Sequence, residues 1–397
     1  MLSISSLAHP PVTDPSRPLP SLVGTEVAMW RSSEDGGERL SPQPVLRFEP
    51  VSRSSRVVIQ VDDTVRYQSV LGLGSSLEHS TCYNLSLLPV EQRERVLESL
   101  VHPERGIGMN LMRLCIGTSD FAPGPFYTYN DMPAGQEDPR LEGFSIERDR
   151  EYVLPVLQMA QRLNPELRWV ASPWTPPPWM KTNGRYGGGS LRPECYPYYA
   201  EYLVRFIEAY RREGIEIHAL TVQNEPEFGP EAYPSCRWTA EQQRDFIRDH
   251  LGPLFEARGI RTLIWVFDHN FNNPGFPLID HQGKPNVSGF HECDPTIIVL
   301  NRDTLQTEYR SDYFIYGQFM KFIRRGAVRV ESSGGARRKF GHAAFHHPDG
   351  SLVLVVANAG AREARFLVRS RDGQFASALP ARTVATYTWK SGGPTGK

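Results

Sequence analysis

Hydrophobic and polar positions change period twice along this chain. Met1 to Pro20 is a Pro- and Ser-rich lead without a period and reads as disordered. From Glu26 to Val61 apolar and polar residues alternate in EVAMWRSS, PVLRFEP and RVVIQVD, which predicts strands of an antiparallel sheet. From about Val70, strand-like and helix-like segments take turns. VLGLGSSLEH predicts a strand entering Gly-rich turns, LLPVEQRERVLESLVH an amphipathic helix, and GMNLMRLCIG a second strand. FSIERDREYVLPVLQMAQRLN holds the next helix, with Asp149 or Ser145 as its cap. LRWVASPW is a third strand, CYPYYAEYLVRFIEAYRREG a third helix and IHALTVQNEP a fourth strand. TAEQQRDFIRDHLGPLFEARG follows, and RTLIWVFDHN is a fifth strand.

Repeated strand–helix units with apolar strands predict a parallel sheet covered by helices, of the barrel kind. After Asn270 the repeat stops, because FNNPGFPLIDHQGKPNVSGFHECDPTIIVLNRDT carries no clear helix and no further unit. Five strands are then present where a closed barrel needs eight. FIYGQFMKFI is helical, and from Ala327 the period of two returns in AVRVES, KFGHAAFHH, SLVLVVANAG, ARFLVRS and ARTVATYTWK, with a hairpin turn at Pro348–Gly350. The expected fold class is α/β: a (β/α)8 TIM-type barrel, incomplete here, plus an antiparallel β-sandwich built from both termini. The expected division is 1–20 lead, 21–65 first part of the sandwich, 66–314 barrel, truncated after about 270, and 315–391 second part of the sandwich.

Composition narrows the function. Lys and Arg total 44 against 45 Asp and Glu, which implies no polyanion as a partner, and no basic block is interleaved with aromatics, which argues against nucleic acid. No run of about 18 apolar residues crosses a membrane, and the N-terminus lacks the charged region and apolar core of a signal peptide. Five cysteines without C-x-x-C spacing argue against zinc; buried free thiols are expected, with Cys195–Cys236 the pair to test for a disulfide.

The chemistry gathers at strand ends. TVQNEPEF, Thr221 to Phe228, carries a strand to Asn224 and Glu225 before Pro226 stops it. The second strand leads to Arg113 and then Thr118-Ser119-Asp120-Phe121, and Arg113 with Asp120 also reads as a structural ion pair. The third ends in Trp174, followed by Trp179, Lys181 and Asn183; the fifth ends in Asp268-His269-Asn270. Barrel enzymes keep their chemistry at this rim. Carboxyls, amides and indole faces together suit a sugar, with hydroxyls in its plane and C–H groups on its faces. The bland readings are Trp174 as core filler, Glu227 as a solvated loop charge and His269 as a hydrogen-bonded supporting group.

These segments resemble glycoside hydrolase family 30, the glucosylceramidase-type (β/α)8 enzymes with an attached β-sandwich, from about Leu71 to Trp389. GLGSSLEHST, RLCIGTSDF, ASPWTPPPWMKTNG and TVQNEPEF resemble the family's first four strand motifs in order, and LIDHQGKPN, DPTIIV, FIYGQFMKFIRRGAVRVES and FGHAAFHHPDGSLVLVVAN its later segments. The resemblance implies retaining hydrolysis of β-glucosides such as glucosylceramide, with no cofactor and no metal, on a small-molecule or glycolipid sugar. It implies Glu225 as general acid/base, Asn224 on the sugar 2-hydroxyl, Asp120 and Trp174 lining the sugar subsite, Arg113 positioning its neighbours and Asp268 as a further substrate-binding residue. It also implies a secreted or lysosome-like setting.

The chain departs from the family at one place. The family's nucleophile is a Glu on strand seven, whereas here Phe267–Asn270 of strand five runs within a few residues into Leu278–Asp280, which resembles the segment after strand eight. Glu292 is the nearest glutamate in that segment, and Glu78 stands where the family has a smaller or Asp/Thr-type residue. Three readings follow: an active enzyme whose coding sequence lacks a segment here, a non-catalytic carbohydrate- or glycolipid-binding pseudoenzyme, or self-association through open barrel edges.

Overall fold

The computed structural model describes residues 19–54, 57–266, 268, 279–280, 297–335 and 340–390. In chain order, β1 (Glu26–Ser33), β2 (Ser41–Arg47), β3 (Glu49–Pro50) and β4 (Val57–Ser69) come first. Next are α1 (His79–Ser86), α2 (Val90–Val101), β5 (Leu111–Ile116), α3 (Val153–Leu163), β6 (Arg168–Pro173), α4 (Tyr196–Arg212) and β7 (Ile217–Thr221). Then come α5 (Ala240–Phe246), α6 (Gly252–Arg258), β8 (Leu263–Trp265), β9 (Ile279–Asp280), β10 (Ile298–Leu300) and β11 (Thr307–Tyr309). The chain closes with α7 (Ser311–Met320), β12 (Val328–Gly334), β13 (Phe340–His346), β14 (Ser351–Asn358), β15 (Ala364–Ser370), β16 (Gly373–Leu379) and β17 (Thr383–Lys390). Two compact units result: Met1–Gly72 with Ser311–Lys397, and Leu73–Arg310.

The first unit is one ten-stranded sheet in the order β2-β1-β17-β14-β13-β12-β4-β15-β16-β3. Strands from both ends of the chain alternate in it: β1 lies against β17, and β4 is held between β12 and, in parallel, β15. Inward residues form one cluster that includes Val27, Ile59, Leu354, Phe366, Phe375, Tyr387 and Trp389. Leu352 to Val356 are all buried, so β14 is covered on both faces, since successive side chains point to opposite sides.

The second unit carries the strand–helix repeat. β5, β6, β7 and β8 pair in parallel, in sequence order. The first strand of the repeat joins as Leu73–Leu77: Arg113 N–H donates to Ser75 O and Leu77 N–H to Arg113 O, each at 2.9 Å. Gly74 permits that approach, since a Cβ there would lie 1.8 Å from Leu111 O. On α4, Tyr199, Tyr202, Leu203, Phe206, Ile207 and Tyr210 recur at three- and four-residue steps and are all buried, the amphipathic stripe of a sheet-covering helix. α5 starts in a capping box, Thr239 accepting from Gln242 N–H while the Gln242 side chain accepts from Thr239 N–H. Among the described residues no helix is long and apolar enough to cross a membrane.

One expectation changes here. Asp149 is not a cap: α3 begins after Tyr152 without a side-chain cap, and Asp149 is fully buried, accepting from the hydroxyls of Tyr127, Tyr129 and Tyr210 at 2.5 to 2.6 Å. Ser145 accepts from Glu147 N–H at the short turn before it. The stretch after Asn270 holds β9 parallel to β10 and, among its described residues, no helix; β11, just beyond it, pairs antiparallel with β10. Cys82, Cys115, Cys195 and Cys236 are buried free thiols, as expected, so the pair to test, Cys195 and Cys236, is not bridged; Cys293 lies outside the described residues.

Candidate active site

Arg113 and Cys115 are two residues apart on β5 and therefore share a face of the sheet. The Arg113 guanidinium gathers the strand ends. Nη2 donates to Asn224 Oδ1 at 2.7 Å and to Asp268 Oδ2 at 2.8 Å, while Nη1 reaches Glu78 Oε1 at 3.3 Å. Its Cζ lies 4.5 Å from the Trp174 ring centre, a cation–π contact. The expected pairing of Arg113 with Asp120 gives way to Glu78 and Asp268 as its ion partners.

Asp268 Oδ2 also accepts from Ser172 Oγ on β6 at 2.6 Å and Thr221 Oγ1 on β7 at 2.9 Å. Burial pushes its carboxyl up, but the Arg113 charge and these hydrogen bonds outweigh burial and hold it below the ordinary value. Glu78 is buried at the start of α1, and its Oε2 accepts from Cys115 Sγ at 2.8 Å. Burial, and then the Glu78 charge, push the Cys115 thiol well above its usual range, so it is no nucleophile at neutral pH.

The regular ladder of β7 ends at Thr221, and a last bridge joins Asn224 to Asp268. Asn224 N–H donates to Pro173 O at 2.8 Å and Glu225 N–H to Asp268 O at 2.7 Å. Glu225 has φ +47°, left-handed backbone that a non-glycine residue adopts at a cost of order 1–3 kcal/mol. Gln223, buried behind it, donates from Nε2 to Trp174 O at 2.6 Å and so ties β7 to the end of β6.

Asp120, 9 % exposed, stands on the loop after β5 and accepts from the Trp174 side chain. Burial first, then the Glu78 charge and the Glu225 charge, push its carboxyl up to about 7. Tyr233, on the loop after β7, faces the same two groups. Burial, then Asp120 and Glu225, push its phenol up to about 12.

The structure thus brings together Arg113, Asp120, Trp174, Asn224, Glu225 and Asp268. The residues after Trp174 serve the loop instead. Lys181 Nζ donates to Thr175 Oγ1, Tyr186 O and Ser235 O at 2.6 to 2.8 Å; Trp179 Nε1 donates to Asn130 Oδ1, and Asn183 Nδ2 to Gly187 O. Thr118 donates to Tyr127 O, and Ser119 Oγ accepts from Phe121 N–H. Glu227 is exposed, while His269, Asn270 and Glu292 lie outside the described residues. Sequence reasoning missed Ser172, Thr221, Gln223 and Tyr233. Ser172 and Thr221 carried a signal, hydroxyls inside otherwise apolar strands; Tyr233, in an aperiodic loop, carried none. Among the described residues no group of Asp, Glu, His and Cys side chains could hold a metal ion.

Residues 70–275 match the glycosyl hydrolase family 30 TIM-barrel domain and residues 326–387 the glycosyl hydrolase family 30 beta sandwich domain, and the chain belongs to that family. An endo-1,6-beta-D-glucanase of Neurospora crassa is 26% identical over 465 residues, covering 93% of this chain and 96% of the relative. That alignment is longer than the 397-residue chain, so it opens gaps against it. A putative glucosylceramidase 1 of Caenorhabditis elegans is 31% identical over 224 residues, 54% of this chain and 42% of the relative. A solved endo-beta1,6-glucanase superposes with TM-score 0.81 at 24% identity, over 92% of this chain and 99% of the other.

Proposed function

We propose that this chain is a retaining β-glucoside hydrolase in which Glu225 delivers the proton to the glycosidic oxygen and recovers it from water. One arrangement carries the reading. Glu225 is held in left-handed backbone at the end of β7, with its amide on Asp268 O and its side chain electrostatically coupled to Asp120, which itself accepts from Trp174. Asn224 Oδ1 is occupied by Arg113, which leaves its NH2 to donate to a sugar hydroxyl. Asp120 and Trp174 supply a hydroxyl acceptor and an apolar edge for the ring. β-1,6-Glucan is the first substrate class to test, because the relative aligned along 96% of its length bears the name endo-1,6-beta-D-glucanase. Glucosylceramide is the second, since the putative glucosylceramidase shares only 42% of its length with this chain.

A retaining displacement also needs a carboxylate about 5–5.5 Å from the acid. Glu78 and Asp268 are both engaged by Arg113, and the parallel sheet of the described residues stops at β8. That favours a second reading, a non-catalytic protein that binds the same sugars. Release of the phenol from an aryl β-glucoside, and of reducing ends from β-1,6-glucan, separates the two. The hydrolase reading expects turnover that Glu225→Gln lowers by roughly 10²- to 10⁴-fold, the contribution of a positioned acid. Sugar binding that Trp174→Ala abolishes, with no turnover by the unaltered chain, would establish the binding protein instead.

A further inference from the structure

A groove of about 680 Å³, counting its open mouth, lies outside the carboxyl cluster. Tyr83 of α1, Pro123 and Tyr127 of the loop after β5, and Arg148, Glu151 and Tyr152 ahead of α3 form its walls. We propose that this groove is a carbohydrate subsite that holds a remote stretch of a neutral glucan chain, on the far side of the 117–127 loop from Glu225.

Position is the first argument. Thr118 and Ala122 line the groove, while Asp120 between them is coupled to Glu78 and Glu225. One loop therefore carries both the groove wall and the Asp120 carboxyl, which puts the groove next to the carboxyl cluster. The lining is the second argument. Tyrosine rings offer apolar faces with a polar tip, the mix that packs on sugar C–H groups and reaches sugar hydroxyls. Exposed Arg148 brings donors and exposed Glu151 brings acceptors. Their charges cancel, so a phosphate or nucleic acid would meet Glu151 and a cation would meet Arg148, whereas a neutral oligosaccharide meets neither penalty.

Rigidity is the third. Tyr83 and Tyr152 meet edge to face, ring centres 5.6 Å apart at 82°. The Arg148 guanidinium lies 4.9 Å from the Tyr127 ring centre, and the Tyr127 hydroxyl is fixed by Asp149 and His79. A wall held this way loses little freedom when a ligand arrives, which favours binding. The identity of the sugar as a glucan rests on the hydrolase reading; the existence of the subsite does not.

The test titrates Glu225→Gln protein with β-1,6-linked gluco-oligosaccharides of increasing length, and repeats it with Arg148→Ala and Tyr152→Ala added singly. Arg148 is exposed, so its removal probes the groove without opening the core. Affinity should rise with chain length. Each added substitution should weaken the longest ligands roughly tenfold, Arg148→Ala by removing a charged hydrogen-bond donor and Tyr152→Ala by removing a ring face, and leave the disaccharide within about twofold. Unchanged length dependence in both variants, equal weakening of short and long ligands, or no binding of any oligosaccharide would each overturn the subsite. An aryl β-glucoside, too short to reach the groove, reports the hydrolase reading separately, so either conclusion can fail alone.

Discussion

At the scale of single residues, Arg113 sets the charge balance of the site. It is the cation shared by the buried Glu78 and half-buried Asp268 carboxylates, and it fixes the Asn224 amide. Arg113→Met would leave both carboxylates uncompensated and should cost at most about 3–5 kcal/mol near neutral pH, read by denaturant unfolding. Asp268 has a depressed folded value, so its contribution is present above its unfolded value and is lost as pH falls through the folded one. The gap between the two proteins should therefore narrow below about pH 4. Asp120 has the opposite sign. Its carboxyl is pushed up to about 7, so between the ordinary carboxylate range and that value the folded protein binds the extra proton, and stability falls as pH rises. Asp120→Asn should thus gain stability over the unaltered chain on going from pH 4 to pH 8, by at most about 4 kcal/mol. Melting curves across that range check the sign.

At the scale of elements, the loops after β6 and β7 are held to each other by one buried cation. Lys181, 3 % exposed, spends its three donors on Thr175, Tyr186 and Ser235. Ser235 N–H donates to Tyr186 O at 3.1 Å and Arg237 N–H to Gly189 O at 2.9 Å. Gly187 lets the strands of chain touch, since a Cβ there would lie 2.2 Å from Glu231 O. Burial pushes the Lys181 ammonium down to about 8, against a smaller opposing pull from Cys236, so its charge costs stability at neutral pH and the cost is relieved as pH rises above that value. Lys181→Met leaves three acceptors unsatisfied. Amide exchange at Gly188, Ser235 and Arg237 should quicken about tenfold or more in that variant, while exchange in β14 stays unchanged; loop amides as slow as in the unaltered chain would dismiss the clamp. TPPPWMKTNG was visible in the sequence as a polar, Trp-rich strand end. Its use as a clamp was not, because the partners Tyr186 and Ser235 contribute backbone oxygens that every residue possesses.

At the scale of the whole molecule, the parallel sheet of the described residues ends at β8, with no further parallel strand paired outside it. Leu263 is 49 % and Val266 63 % exposed at that edge. An apolar edge strand is a template for unwanted pairing. Concentration-dependent light scattering should therefore fall in the double variant Leu263→Lys, Val266→Lys; scattering that does not change would clear this edge. The sheet order repeats the sequence order, which is why the repeat was legible: each βα unit records its own burial in its own period. β9, β10 and β11 have two or three residues each, too short to show a period, and went unread.

The sequence by itself determined the two fold classes, their interleaving along the chain and the strand end that carries Asn224 and Glu225. Those features are local, set by which neighbouring positions are buried and by where a proline halts a strand. Only the tertiary structure decided what those residues do to one another. Arg113 meets partners 35, 111 and 155 residues away in the chain, and no periodicity encodes such separations. Asp149 looked like a helix cap and became the buried acceptor of hydroxyls from Tyr127, Tyr129 and Tyr210, 20 to 61 residues distant, because desolvating a carboxylate requires donors that only the folded chain assembles.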